Sequence, residues 1–258
     1  MLKMNRDSNS YTFLFATIMV FIVASTLAFT ASSLKKKQDE NVRKEQMQNI
    51  LSTIGIAIDR DGAEELYDKY ITEQISLRQD GTVDSKINAF NISLKKETRK
   101  PLKEQRFPIY VANVIDSKYY IVPLIGSGLW DVIWGYLALE EDMRTIKGAV
   151  FDHKGETAGL GAEITQNWFQ ESFKGEKIIN SDDILVGISV SKTNNDSKGL
   201  DKDDHEVDAI SGATITGDGV TDMILGRLKY YMTYFDIIKK EVIKKDEIDS
   251  DNKIIALK

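Results

Sequence analysis

The sequence has no cysteine, only two histidines (His153 and His205) and only three prolines in 258 residues. Without thiols there are no disulfides, thiolate metal centres, iron–sulfur clusters or cysteine nucleophiles, and two imidazoles are too few for a zinc-centred mechanism. No metal-ligating set is identified. A basic excess is also missing: the net charge is −6 and the isoelectric point is about 5.2. The electrostatic footprint on which nucleic-acid binding draws is therefore absent, and nucleic acid is not an expected partner. No Gly-x-Gly-x-x-Gly follows a strand pattern and no P-loop is present, so a nicotinamide site of that kind is not expected either. If the chain performs redox chemistry, an organic cofactor must carry it. The lack of cysteine does not decide the compartment, because a chain of this length can be stable without covalent staples.

What the sequence does contain is one long apolar run. From Tyr11 to Leu34 the chain is uncharged, and about 24 residues in a helix extend roughly 36 Å, against about 30 Å of bilayer hydrocarbon. A retained membrane anchor is expected, with a cleaved signal peptide or a buried core helix as the alternatives. Lys3 and Arg6 precede the run, and Lys35, Lys36, Lys37, Arg43 and Lys44 follow it, which by the positive-inside bias favours a cytoplasmic C-terminal side. Beyond it, Met47, Ile50, Leu51 and Ile54 fall at spacings of three and four, the pattern of a helical stalk with one apolar face.

After about Asp59 the pattern changes to short apolar runs separated by glycine and charged turns, without an internal repeat. Strands are expected at Ile109–Ile115, Tyr119–Ile125, Trp134–Glu140, Ile146–Asp152 and Ile184–Ser191. Their short separations suit hairpins, hence a mixed, mainly antiparallel α+β domain. Helices are expected at Asp61–Ser76, Gln166–Phe173 and from about Gly219 to Lys244, where Val220, Ile224, Leu228, Tyr231, Phe235, Ile238 and Val242 form a stripe. The divisions expected are an N-terminal segment (1–10), a transmembrane helix (11–34), a helical stalk (35–58), the domain (59–245) and a charged tail (246–258).

Small residues Ser211, Gly212, Ala213, Thr214 and Thr216 lead into the last helix. First-turn amides and the positive end of the helix dipole favour an anion there. Thr214 would supply a hydroxyl, Gly212 and Ala213 would keep the approach clear, and Ser211 and Thr216 could bond phosphate oxygens. A small-residue turn capped by Thr216 is the plainer reading of the same segment.

Together with Asp208, this segment resembles the Asp-x-x-Ser/Thr-Gly-Ala-Ser/Thr signature at which flavin transferases join FMN to a hydroxyl through its phosphate. Glu156-Thr157-Ala158-Gly159-Leu160-Gly161 is similar to the Glu-Thr-Pro-Gly-Leu-Gly motif of FMN-binding domains. Ala158 stands in place of the usual proline, which loosens the turn and keeps the glycines. Gly126-Ser127-Gly128-Leu129-Trp130 resembles the Gly-x-Gly-Leu-Trp turn of the same family. With the anchor and stalk, the three motifs resemble the C-type subunits of the sodium-translocating NADH:quinone oxidoreductases, a covalent FMN-binding family, over nearly the whole chain.

That resemblance implies FMN held covalently by a phosphoester to Thr214, with Leu129, Trp130, Glu156, Thr157, Gly159, Leu160, Ser211, Gly212, Ala213 and Thr216 around it. Asp208 would be read by the transferase. It implies one electron-carrying subunit of a complex that oxidises NADH, reduces quinone and exports sodium, with no catalytic acid or base of its own. The partners would be the other subunits, the flavin transferase and membrane lipid. The implied location is the bacterial cytoplasmic (inner) membrane, crossed once, with the flavin domain on the periplasmic side, against the lysine count. Two readings compete: the shorter, flavinylated G-type subunit of the related ion-pumping ferredoxin:NAD oxidoreductase complex, and a membrane-anchored sensor or solute-binding domain without flavin.

Overall fold

A computed structural model describes residues 8–194, 199–241 and 244. The expectations for Lys3, Arg6, Val242 and the tail 246–258 lie outside these residues. The chain divides into two compact units, Met1–Gln46 and Met47–Lys258. The first is built on helix α1 (Asn9–Thr53). Its most apolar 18-residue window has a mean hydropathy of 2.3 and none of it is buried. Phe13 and Phe29 are each 75% exposed, which is incompatible with the core-helix alternative. By length and composition this helix can cross a membrane.

In the second unit, the apolar face of the expected stalk packs into the core: Met47, Ile50 and Leu51 are buried, as is Ile54 just beyond, while Ser52 between them is exposed. Helix α2 (Ala63–Tyr70) follows and passes directly into strand β1 (Ile71–Leu77). The sequence pattern predicts a helix running on to Ser76, because Ile71 and Ile75 stand four apart. Instead the backbone of β1 pairs with β2, from Ile71 opposite Ala112 to Leu77 opposite Phe107, with a bulge at Ile71/Glu73. Tertiary pairing outweighs a weak local preference.

A short helix α3 (Leu94–Glu97) leads to β2 (Phe107–Val114), β3 (Ser117–Ser127), β4 (Val132–Leu139) and β5 (Ile146–His153). The five strands form one antiparallel meander in chain order, so the α+β expectation and four of its strands stand. The fifth, expected over 184–191, shrinks to β6 (Ser189–Val190), paired in parallel with β7 (Glu206–Val207).

Strand alternation divides the core in two. Phe107, Ile109, Val111, Tyr120, Val122, Leu124, Leu137 and Phe151 face one side. There they meet Phe169 of α4 (Asn167–Ser172) and Val220, Met223, Ile224 and Leu228 of α5 (Thr214–Leu228). Tyr110, Ala112, Ile121 and Ala138 face the other side, covered by the end of α1 and by Ala63 and Tyr67 of α2.

Helix α5 starts at Thr214, ahead of the expected Gly219, and stops at Leu228. A turn follows, then helical residues 232–241. The break is built in: Tyr230 stacks on Phe107 with ring centroids 4.7 Å apart, and the buried Tyr231 hydroxyl donates to the Pro108 carbonyl at 3.0 Å. Tyr231→Phe removes this buried hydrogen bond and is expected to cost about 1–2 kcal/mol. Urea unfolding of the full chain in detergent checks this, and an unchanged midpoint contradicts it.

Candidate functional site

Three loops meet at one end of the α5 face. The first is the turn between β3 and β4, closed by the Gly128 amide donating to the Asp131 carbonyl at 2.8 Å. The second follows β5. There the Glu156 amide donates to Nδ1 of His153 at 3.1 Å, and the amides of Leu160 and Ala162 both donate to the Thr157 carbonyl at 3.1 Å. An ion pair between Lys154 and Asp131, 2.6 Å, ties these two loops at the surface. The third loop enters α5: Gly212, at φ +71°, turns the chain, and the Ala213 amide donates to the Ile210 carbonyl.

Glu156 joins all three. Its side chain is buried, the residue being only 7% exposed. Its carboxylate accepts from Oγ1 of Thr216 at 2.7 Å, from the Trp130 amide at 2.9 Å and from the Leu129 amide at 3.3 Å. The neighbouring glycines make this approach possible. A Cβ on Gly128 would lie 2.5 Å from Oε1, and one on Gly161 would lie 2.5 Å from both Oε2 and the Thr216 oxygen.

Burial raises the Glu156 pKa, but the Thr216 hydroxyl and the Trp130, Leu129 and Asp131 amides outweigh it, and the carboxyl sits below its ordinary value of 4.5. A depressed folded value means that the stabilisation is fully present above the unfolded pKa and is lost as pH falls through the folded one. Unfolding midpoints should therefore drop as pH falls below 4.5. In Glu156→Gln this component of the acid sensitivity should be absent, as paired urea titrations at stepped pH would show.

A pocket of about 270 Å³ opens beside this carboxylate, lined by Leu129, Glu156, Thr157, Leu160, Gly161, Gly212, Ala213, Thr214, Ile215 and Thr216. All but Gly161 and Ile215 are expected site residues, so most of that set comes together. Thr214 is exposed and is the first residue of α5. No side chain caps the helix, so its first-turn amides, which have no carbonyl a turn before them, point toward this end unpaired with side chains. The expected cap by Thr216 is not formed. Thr216 is 1% exposed and its hydroxyl donates to Glu156, so that proton is not available to a phosphate oxygen.

Gly159, Ser211 and Asp208 lie outside this pocket and line a larger adjoining cleft of about 730 Å³ with Trp168. Trp130 contributes its amide to Glu156 while the residue is 69% exposed. Gly161 and Ile215 are not among the lining residues the sequence predicts. Gly161 closes the Glu-Thr-x-Gly-Leu-Gly motif, which is a signal for it, whereas Ile215 is an apolar residue among small ones and carries no signal. Among the described residues no group of histidine, aspartate and glutamate is placed to hold a metal.

The fold and this pocket define a class: residues 128–229 match the family model of the FMN-binding domain. Two of the more similar relatives both bear the name of the C-type subunit of the Na(+)-translocating NADH-quinone reductase. The one from Vibrio anguillarum is 30% identical over 233 residues, covering 84% of this chain and 89% of the relative. The one from Haemophilus ducreyi is 29% identical over 236 residues, covering 85% and 90%. The crystal structure of the same kind of subunit from Parabacteroides distasonis superposes with a TM-score of 0.70 at 35% identity, covering 78% of this chain and 96% of that one. The chain belongs to the family of these C-type subunits of the Na(+)-translocating NADH-quinone reductases.

Proposed function

We propose that this chain carries FMN, esterified through its phosphate to Thr214, and serves as an electron-carrying subunit of a membrane complex that oxidises NADH, reduces quinone and exports sodium. The observation that carries the reading is an exposed threonine at the first residue of α5, opening on a pocket with apolar walls. The residues fit the group. Leu129, Leu160 and Ile215 offer apolar surface to a flat ring, Thr157 a hydroxyl, and Gly212 and Ala213 leave the backbone approachable. Ser211 flanks the attachment from the adjoining cleft.

The pocket also favours a tether over simple binding. At about 270 Å³ it is at or below the roughly 300–1,000 Å³ that encloses a free ligand. Among the described residues, no lysine or arginine lines it, and Glu156 does. A free phosphate monoester would meet a carboxylate and no cation, whereas a diester carries less negative charge and rests on the α5 amides. FMN supplies reversible uptake of electrons when bound. The protein's own residues hold and orient it and keep one side of the pocket dry, with no acid–base pair required.

In this reading α1 crosses the bacterial cytoplasmic membrane once through residues 11–34, and 35–58 connects it to the flavin domain, 59–245, on the periplasmic side. Large domains cross largely regardless of flanking charge, which offsets the lysines after the span. Asp208, half-buried in the larger cleft, faces the flavin transferase during maturation, and the remaining partners are the other subunits and membrane lipid. The test is to produce the full chain beside a flavin transferase and measure its intact mass. A gain equal to FMN less one water is expected, and a mass equal to the sum of the amino acids overturns the reading.

A further inference from the structure

Glu156 is not needed as an acid or base in this scheme, yet it is the carboxylate that the loops around the pocket are built on. Its two oxygens take hydrogen bonds from Thr216, Trp130 and Leu129, residues from two separate segments that flank Thr214 in space. Gly128 and Gly161 are both shaped around it. A purely structural linker between these loops would not require a charge. A neutral amide could make some of the same contacts, although the three donors that face the carboxylate leave no room for an amide's own hydrogens without loss of one bond.

We infer that Glu156 is a positioning residue that also sets the charge of the site: it draws the 128–130 turn and the first turn of α5 to one point and keeps a fixed negative charge beside the pocket that Thr214 opens on. The inference rests on the reading that Thr214 carries FMN. Two-electron reduction of FMN with uptake of one proton adds one net negative charge to the ring system. A fixed carboxylate in a partly desolvated pocket disfavours that added charge, so the site holds the midpoint potential below the value it would have beside a neutral side chain. The hydrogen bonds that hold Glu156 ionised keep this bias in place across neutral pH. Its position is fixed by three donors, so the charge cannot swing away when electrons arrive.

The test uses the full chain matured with a flavin transferase, with covalent flavin read by fluorescence on a denaturing gel and the midpoint by spectroelectrochemical titration at mildly alkaline pH. Glu156→Gln is expected to carry less covalent flavin and to titrate at a more positive potential, and Glu156→Asp to bring the potential back toward that of the parent. An unchanged or more negative potential in Glu156→Gln, with flavin attached, overturns the inference. Should Glu156→Gln fold without acquiring flavin, Thr216→Val decides: it removes the shortest of the three hydrogen bonds and keeps the charge, so loading should fall while the potential stays level or becomes more negative. A positive shift in Thr216→Val overturns the inference. A dark band from the parent chain itself would instead overturn the Thr214 attachment, before either variant is read.

Discussion

On the proposed attachment, Thr214→Val is expected to abolish denaturation-resistant flavin fluorescence and to leave the fold intact. The substitution keeps the branched shape and removes one oxygen. Thr214 is exposed at the start of its helix, so the change in stability should stay within a few tenths of a kcal/mol, the difference in helix propensity. The expected effect on attachment is total, because an ester cannot form without the hydroxyl. Gel fluorescence against a Thr216→Val control separates the two threonines: the control loses a buried hydrogen bond to Glu156 but retains the Thr214 hydroxyl, so a weakened band should remain. A Thr214→Val chain that still fluoresces after denaturation would place the attachment elsewhere.

Phe151→Ala removes a large part of the stability that the site rests on. Phe151 is 1% exposed near the end of β5 and packs against Phe173 and Phe169, with ring centroids 5.0 and 5.9 Å away. Those two rings meet each other at 5.2 Å. Truncation to alanine removes most of a buried aromatic side chain and leaves a cavity the two partners cannot fill, at a cost of about 3–5 kcal/mol. The loop that carries Glu156 leaves the sheet directly after this strand, so flavin loading should fall with stability. Urea denaturation of the full chain in detergent measures the loss, and a cost below about 1 kcal/mol would mean that the three rings are not a cooperative cluster.

The sheet was legible where runs rich in Val, Ile and Tyr lay close together along the chain. Which face each residue takes was not: Phe107, Ile109 and Val111 on one side and Tyr110 and Ala112 on the other are all apolar and all buried, and only the fold separates them. Strand β1 was not legible, because Ile71 and Ile75 also fit one face of a helix, and the partner that decides between them, β2, lies far along the chain. The start of α5 at Thr214 was hidden because the apolar stripe that signals the helix begins only at Val220. In the fold, Gly219 is where the helix presses on β3, and a Cβ there would collide with the Ser127 carbonyl. The helix end was hidden too, since Tyr231 and Phe235 continue the apolar stripe straight through the break.

Within the site, the exposed threonine and the small residues beside it were readable from one short segment. The role of Glu156 was not, because it depends on amides contributed by the 128–130 turn and a hydroxyl from α5, and no periodicity signals contacts across 26 and 60 residues of chain. Likewise nothing in the local pattern distinguishes Gly159 and Ser211, which face the larger cleft, from Leu160 and Gly212 beside them, which face the smaller one.

Thr214 and Thr216 are two secondary alcohols of identical chemistry, two positions apart. Successive residues of a helix are about 100° apart, which turns these two onto nearly opposite sides of the same rod. One looks outward while the other is engaged with Glu156 in the interior. If Thr214 carries FMN as proposed, regioselectivity between them is thus written into helical phase, and a modifying enzyme working on the folded chain would have no need to tell one threonine from the other.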